Sequence, residues 1–300
     1  MEWQRRKFLK VGSGAMAAGV LATAVRAQSE APKRKFKKSL KFGMVRENLS
    51  IQDKFKLLKD LGFDGVELDS PSDLDRREVL AARDAVDFPI PGVIDSVHWR
   101  KTLGDPDPKV RAEGLEGLRT ALRDAHAYGA STVLLVPAVV RKDIPYDVAY
   151  ARSQAEIRKA LPLAEELGVK IAIENVWNQF LLSPLEAARY IDEFESPWIG
   201  MYFDVGNVVN FGFPEHWIRI LGHRIIKLDV KEFSRAKRDK EGPFAGFDVP
   251  LGEGDCDWPT VRIALSQAGY EGWASAEVQG GDRTRLQEIS RWMDNILGLA

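Results

Sequence analysis

The chain has 300 residues, 45% of them hydrophobic and 29% charged, with a formal net charge of −1. That balance argues against a nucleic-acid partner, which calls for concentrated positive charge. The single cysteine, Cys256, excludes an intramolecular disulfide, so stability must come from an apolar core.

Residues 1–27 read as a removable segment. Gln4-Arg5-Arg6-Lys7-Phe8-Leu9-Lys10 is followed by a Gly/Ala-rich apolar run, Val11–Val25, and Val25-Arg26-Ala27 offers small residues at the two positions a signal peptidase reads. The pattern resembles a twin-arginine export signal. The run is short and glycine-rich for a membrane span of about 20 residues, so a periplasmic or otherwise exported protein is expected, without stable membrane insertion after cleavage. The segment carries five basic residues against one acidic, leaving the remainder near −5. Residues 28–39 read as a flexible basic leader, with Lys33–Lys41 solvated ahead of the first strand.

From Leu40 onward strand and helix patterns alternate. Leu40–Val45 is predicted as a strand, and Ile51–Leu61 as a helix with Phe55, Leu58 and Leu61 on one face. Strand Gly65–Leu68 follows the turn Gly62-Phe63-Asp64 and precedes helix Asp73–Val86. Strand Ile90–Val97 ends at His98-Trp99. The long helix Pro108–Tyr128 carries Val110, Leu118, Leu122 and Ala125 at helical spacing. Strand Thr132–Val136, helix Val148–Leu167 and strand Val169–Ile173 come next, the last ending on Glu174. Ser183-Pro184 starts a helix that runs to Phe194, and strand Trp198–Phe203 ends on Asp204. The remainder reads as helix Pro214–Leu221, strand Ile225–Val230, a polar loop over Glu232–Gly254, helix Trp258–Ala268, strand Trp273–Ala276 and helix Arg283–Leu297. No low-complexity linker divides residues 40–300, so one α/β domain is expected, a single (β/α)8 barrel. An open doubly wound sheet is the alternative, disfavoured because no GxGxxG follows the first strand.

In such a barrel the chemistry lies just after each strand. Those positions hold Arg46 and Glu47, Glu67 and Asp69, His98, Pro137, Glu174, Asp204, Asp229 and Lys231, and Glu277. The four late carboxylates Glu174, Asp204, Asp229 and Glu277 would repel one another unless a cation sat among them. Oxygen donors favour one hard divalent ion, manganese or magnesium first, with zinc or cobalt as alternatives.

The motifs ENVWN, FDVGN, KLDVKEF, PLGEGDCDW and ASAEV, in that order, resemble the sugar isomerase/epimerase superfamily with the xylose-isomerase-like barrel. The nearest likeness is to the ketose 3-epimerase and hexulose-6-phosphate isomerase branch. It covers roughly residues 40–297, most specifically 171–232. The resemblance implies a metal held by Glu174, Asp204, the position of Asp229 and Glu277, with Glu174 and Glu277 as the acid/base pair. Asp229 departs from the family pattern, which usually has a histidine there. The implied reaction removes a proton next to a carbonyl and returns it, by way of an enediolate.

His98, Glu67, Trp177, Asn207 and Lys231 are candidate substrate contacts, and Trp99 joins Trp177 as a candidate apolar wall. His126, His216 and His223 read as surface or structural. The Glu232–Gly254 loop is expected to act as a lid or binding loop, with Gly252-Glu253-Gly254-Asp255 near the substrate. Arg235, Lys237, Arg238 and Lys240 suit either phosphate recognition or a solvated face. Export favours a free sugar, a keto-sugar or a glycoside derivative. The expected activity is therefore a metal-dependent sugar isomerase or epimerase, and a homo-oligomer is compatible with the sequence. The alternatives are a metal-dependent β-elimination lyase or hydrolase acting on 3-keto-glycosides, and a non-catalytic sugar-binding barrel. An endonuclease of the same superfamily is disfavoured because its multi-histidine zinc site is absent.

Overall fold

The computed structural model describes residues 35–299. The export segment proposed for residues 1–27 lies outside them, as do residues 28–34 of the leader. Eight parallel strands form one sheet: β1 (Phe36–Leu40), β2 (Leu68–Ser70), β3 (Gly92–Asp95), β4 (Thr132–Leu135), β5 (Lys170–Glu174), β6 (Ile199–Asp204), β7 (Ile225–Val230) and β8 (Gly272–Ala276). Each pairs with its sequence neighbour except at one seam, where β1 pairs with β8 instead. Between β1 and β2 the ring closes through two backbone bonds. Glu67 N–H donates to Leu40 O at 2.9 Å, and Phe42 N–H donates to Glu67 O at 2.8 Å. The (β/α)8 barrel is therefore the observed architecture.

Helix starts follow local chemistry. Ser50, Asp75, Asp107 and Ser183 accept bonds from first-turn N–H groups of the helices they precede, and Pro108 and Pro184 occupy first-turn positions. Gly129 and Gly168 end their helices at φ +77° and +67°, where a glycine avoids the steric cost of a side chain. Val79, Leu118, Leu122, Ile191, Ile218, Val261 and Ile289 are buried in the main apolar cluster with strand residues such as Val133 and Ile173. Inside the ring the apolar filling is sparse: Leu134, Ala172 and Tyr202 form a separate small cluster.

Several boundaries differ from expectation. The first strand is Phe36–Leu40, so four of its five residues fall in the segment read as leader and only Leu40 in the predicted strand. Its lysines misled the reading, because Lys38 and Lys41 are buried. Lys38 Nζ donates to Ser290 O at 3.1 Å and to Asp294 at 2.7 Å, so its charge is paired rather than solvated. The predicted helix Val148–Leu167 is two helices, Tyr146–Arg158 and Leu161–Leu167, with Pro162 in the first turn of the second, where its missing N–H does no harm. The Glu232–Gly254 segment holds a helix, Arg235–Glu241, and a 3-10 turn, Pro243–Phe247. Among the described residues no helix is long and apolar enough to cross a membrane.

Candidate active site

β5 and β6 each end on a carboxylate, Glu174 and Asp204. Asn175 locks the two ends together: its amide donates to Asp204 O at 2.8 Å, and its Oδ1 accepts Asp204 N–H at 2.9 Å. Asn207 completes the clamp by donating to Asn175 O at 2.9 Å, while Asp204 Oδ1 accepts Asn207 N–H at 2.8 Å. The two Asn-containing motifs thus tie the ends of β5 and β6 together and hold the Asp204 carboxylate against backbone. Gly206 lies so close to Lys231 that an added Cβ would stand 2.6 Å from Lys231 Cβ, so the glycine admits β7's exit strand.

Glu174, Asp204, Asp229 and Glu277 each bring one oxygen to within 4.8 Å of the others. Lys231 stands among them, with Nζ 2.9 Å from Asp204 Oδ2, 3.3 Å from Glu277 Oε1 and 3.8 Å from Glu174 Oε1. Lys41, from the end of β1, pairs with Asp229 Oδ2 at 2.9 Å and with Glu67 Oε2 at 2.9 Å. Glu174 Oε1, Asp204 Oδ2 and both oxygens of Asp229 are buried without a hydrogen bond of good geometry. Burial, then the charge of Glu277, pushes the Glu174 carboxyl well above the usual range. Burial also raises Asp204 against the pull of Lys231, and raises Asp229 against that of Lys41. Glu277 goes the other way: Lys231 and Lys41 outweigh its burial and hold it low.

This donor set fits a hard divalent cation. Four carboxylates against two ammonium groups leave a formal excess of two negative charges, and the buried oxygens that accept no well-aligned hydrogen bond are hard donors. The same geometry shows that Lys231 already holds part of that space.

A cavity of about 680 Å³ opens above the cluster, lined among others by Glu174, Glu277, Lys231, Lys41, His98 and Asn207. Trp177 walls it together with Phe244 and Phe247, ring centroids 5.4 and 5.0 Å away, and its indole N–H donates to Asn207 O at 2.8 Å. Trp99 lines the same cavity and is 51% exposed. His98 is buried, and its Nδ1 accepts Val136 N–H at 3.2 Å, which leaves Nε2 carrying the proton. Burial holds its pKa down near 4, so the ring is neutral at ordinary pH.

Glu67 alone of the expected contacts does not reach the cavity. Its carboxylate is buried deeper, paired with Lys227 and Lys41 and accepting Tyr202 O–H at 2.7 Å. Nor does the Gly252–Asp255 turn line it. Gly252 N–H donates to Glu232 Oε2 at 2.7 Å, and a Cβ on Gly254 would stand 2.5 Å from Glu232 Oε1, so the turn wraps a buried glutamate. Trp258 Nε1 donates to the same Glu232 at 2.8 Å. The basic run is bound to backbone: Arg235 to Val209 O and Gly212 O, Lys237 to Asp248 O, and Arg238 to Asn210 O. His126, His216 and His223 lie away from the cavity-lining set. Sequence reasoning missed Lys41, Phe244, Phe247 and Asp95. Lys41 was hidden by the basic run around it, and the two phenylalanines by a loop that read as polar. Asp95 follows an apolar strand just as Glu174 does, so its position was available as a signal.

The model of the xylose isomerase-like TIM barrel matches residues 55–296. The chain belongs to that family. Its homologues are sugar epimerases, including L-ribulose-5-phosphate 3-epimerase UlaE of Escherichia coli O1:K1 / APEC. That relative is 29% identical over 244 residues, covering 73% of this chain and 79% of its own length. The fold is shared with 3-keto-D-glucoside 4-epimerase, YcjR, from E. coli at TM-score 0.70 and 16% identity, covering 88% of this chain and 99% of that one. It is also shared with the IOLI protein, whose structure has a binding zinc atom, at TM-score 0.72 and 16% identity, over 88% and 98% of the two chains.

Proposed function

We propose that this chain is an exported, divalent-metal-dependent epimerase or isomerase of an unphosphorylated keto-sugar. The observation that carries the reading is the placement of Glu174 and Glu277 on one cavity, from β5 and β8, with Lys231 between them. When bound by Glu174, Asp204, Asp229 and Glu277, a divalent cation supplies polarisation of the substrate carbonyl. Glu174 and Glu277 then serve as the two proton carriers: one takes a proton from the carbon next to the carbonyl, and the other returns one. Lys231 Nζ lies where negative charge develops on the substrate oxygens, and the His98 Nε2–H is free to donate to a hydroxyl. Trp177, Phe244 and Phe247 offer an apolar face to the sugar ring.

The absence of phosphate from the proposed substrate follows from charge. Lys41 and Lys231, the lysines that line the cavity, are both committed to carboxylates. A phosphate there would find no uncommitted lysine, whereas a polyhydroxylated neutral sugar meets hydrogen-bond partners. Export through the twin-arginine route, proposed from Arg5-Arg6 and the run after it, is consistent with a neutral sugar met outside the cytoplasm.

The test is incubation of the manganese-loaded protein with a panel of free ketoses in D2O. Deuterium appearing next to the carbonyl together with the epimeric or aldose product, and lost in Glu277→Gln, supports the reading. No exchange with any of the sugars would overturn it.

A further inference from the structure

A second cavity, of about 760 Å³, abuts the first, and Asn207, Lys231, Phe247 and Glu277 line both. The two differ in chemistry. The first is walled by Trp99, Trp177 and Phe244 and holds Glu174. The second is the more polar of the two, with Asp248, Gln279 and Arg285 on its wall beside Val249, Pro250 and Val278. Cavities of about 300–1,000 Å³ accept a drug-sized ligand, so each is large enough to take a sugar ring. Arg285 is held by its bonds to Gln279 O at 3.1 Å and Glu288 at 3.4 Å and stacks over Trp292, so it presents an oriented guanidinium edge rather than a free charge. An acid, an amide and a tethered guanidinium suit hydroxyl groups better than a phosphate or an apolar tail.

We infer that the substrate is a disaccharide or polar glycoside, its keto-sugar ring in the aromatic cavity between Glu174 and Glu277 and its second ring in the polar cavity beyond Phe247. This rests on the proposed keto-sugar chemistry for the placement of the reacting ring. The shared wall explains the order, because Glu277 lines both cavities whereas Glu174 lines only the first. The carbon to be deprotonated must lie in the first, leaving the second for the remainder of the molecule. Val249 lines the second cavity and not the first, so an indole in its place would obstruct the polar chamber from the side away from Glu174.

Calorimetry of the manganese-loaded protein with fructose, and with turanose, lactulose and isomaltulose, separates the possibilities. These disaccharides carry the same ketose with a second ring at different positions. At least one is expected to bind ten-fold or more tightly than fructose, with Val249→Trp erasing that advantage and leaving fructose binding unchanged. If every disaccharide binds no better than fructose, or if Val249→Trp leaves the preference intact, the two-ring assignment is overturned. Because binding is read without turnover, a disaccharide that binds tightly but exchanges no proton in D2O leaves this assignment standing and removes the epimerase reading instead.

Discussion

Two charged clusters share the interior of this barrel and are balanced in opposite ways. In the deeper one, a single carboxylate, Glu67, meets two ammonium groups, Lys41 and Lys227, and a phenol, Tyr202. Burial alone would push Glu67 up, yet Lys227 and Lys41 outweigh it and hold its pKa near 2. Two residues further along β7, Asp229 belongs to a cluster in which four carboxylates share Lys231 and the far side of Lys41, and three of the four are pushed upward. The deeper cluster is a closed network that occupies space usually filled by branched apolar side chains in such barrels. Both clusters hold buried carboxylate oxygens that accept no well-aligned hydrogen bond, Glu67 Oε1 in the deeper one and four oxygens of Glu174, Asp204 and Asp229 in the upper one. Only the upper one has more carboxylates than ammonium groups. An excess of negative charge at the cavity floor costs stability in the isolated chain, and a site for a cation needs that excess.

If that contrast is right, the two clusters answer mutation differently. Glu174→Gln removes a proton carrier at little expense to folding, because it removes a buried carboxylate that the charge of Glu277 repels. The expected outcome is a loss of about 10²–10⁴ in turnover, with a denaturation midpoint equal to or above wild type. Glu277→Gln should lose turnover in the same way but lower the midpoint, because Lys231 and Lys41 stabilise its carboxylate in the folded protein. A variant that keeps full turnover would show that the carboxylates are not the proton carriers. Glu67→Ala should spare the proton carriers but strand the buried Lys227 and leave Lys41 with Asp229 alone as its ion-pair partner, destabilising the fold by about 3–5 kcal/mol, measured by urea unfolding. Gly92 supports the same deep network, since a Cβ there would collide with Lys227 Nζ and Glu67 Oε1, and Gly92→Ala should destabilise in the same direction. A neutral result for both would mean that the deep cluster does not carry the fold.

A third case sharpens the contrast, because Asp95 is buried on the cavity wall with no lysine paired to it. Burial pushes its carboxyl up to about 7, against a backbone bond from Val97 N–H. The folded state therefore holds a proton that the unfolded chain releases near 3.8. Stability from this group is present in full below that value and is lost as pH rises towards 7, by as much as about 4 kcal/mol. Asp95→Asn should remove most of that slope between pH 4 and 7 and raise stability at pH 8. Unfolding curves across that range measure it, and an unchanged slope would show that Asp95 ionises freely in the folded protein.

How much of this was legible in the sequence follows from where charge sits on the chain. Alternating strands and helices, and the acids at the ends of β5, β6 and β7 and just past β8, are local features, and periodicity with strand-end chemistry finds them. Glu174, Asp204, Asp229, Glu277 and Lys231 come together as read, and His98, Trp177 and Asn207 line the same cavity. What failed was long-range pairing. Lys38 and Lys41 belong to a stretch that looks solvated, and only partners 26 to more than 200 residues away make them interior. Glu67 was expected on the substrate for the same reason: its position after a strand was visible, while Lys227, its partner on the far side of the barrel, was not. Glu232 and the Gly252–Gly254 turn show a related limit, since a glycine cradle around a buried carboxylate resembles a ligand loop until the carboxylate is seen inside it.

The smallest expected effect is the one that most directly separates the clusters. A ligand that binds only the folded chain stabilises it by mass action, about 2.7 kcal/mol when its concentration is a hundred times the dissociation constant. Added manganese should therefore raise the thermal midpoint of the metal-free protein, and chelator should reverse the change. Asp204→Asn removes a hard donor and part of the negative excess that attracts the ion, so the rise should shrink or vanish. Lys231→Met raises that excess and clears the ammonium 2.9 Å from Asp204, so there the rise should grow. A disruption of the deep network, as in Gly92→Ala, should lower the starting midpoint and leave the manganese increment as in wild type. Equal increments in all four proteins would place the ion elsewhere on the molecule. An increment that follows Asp204 and Lys231 but not Gly92 would locate it among the four carboxylates around Lys231.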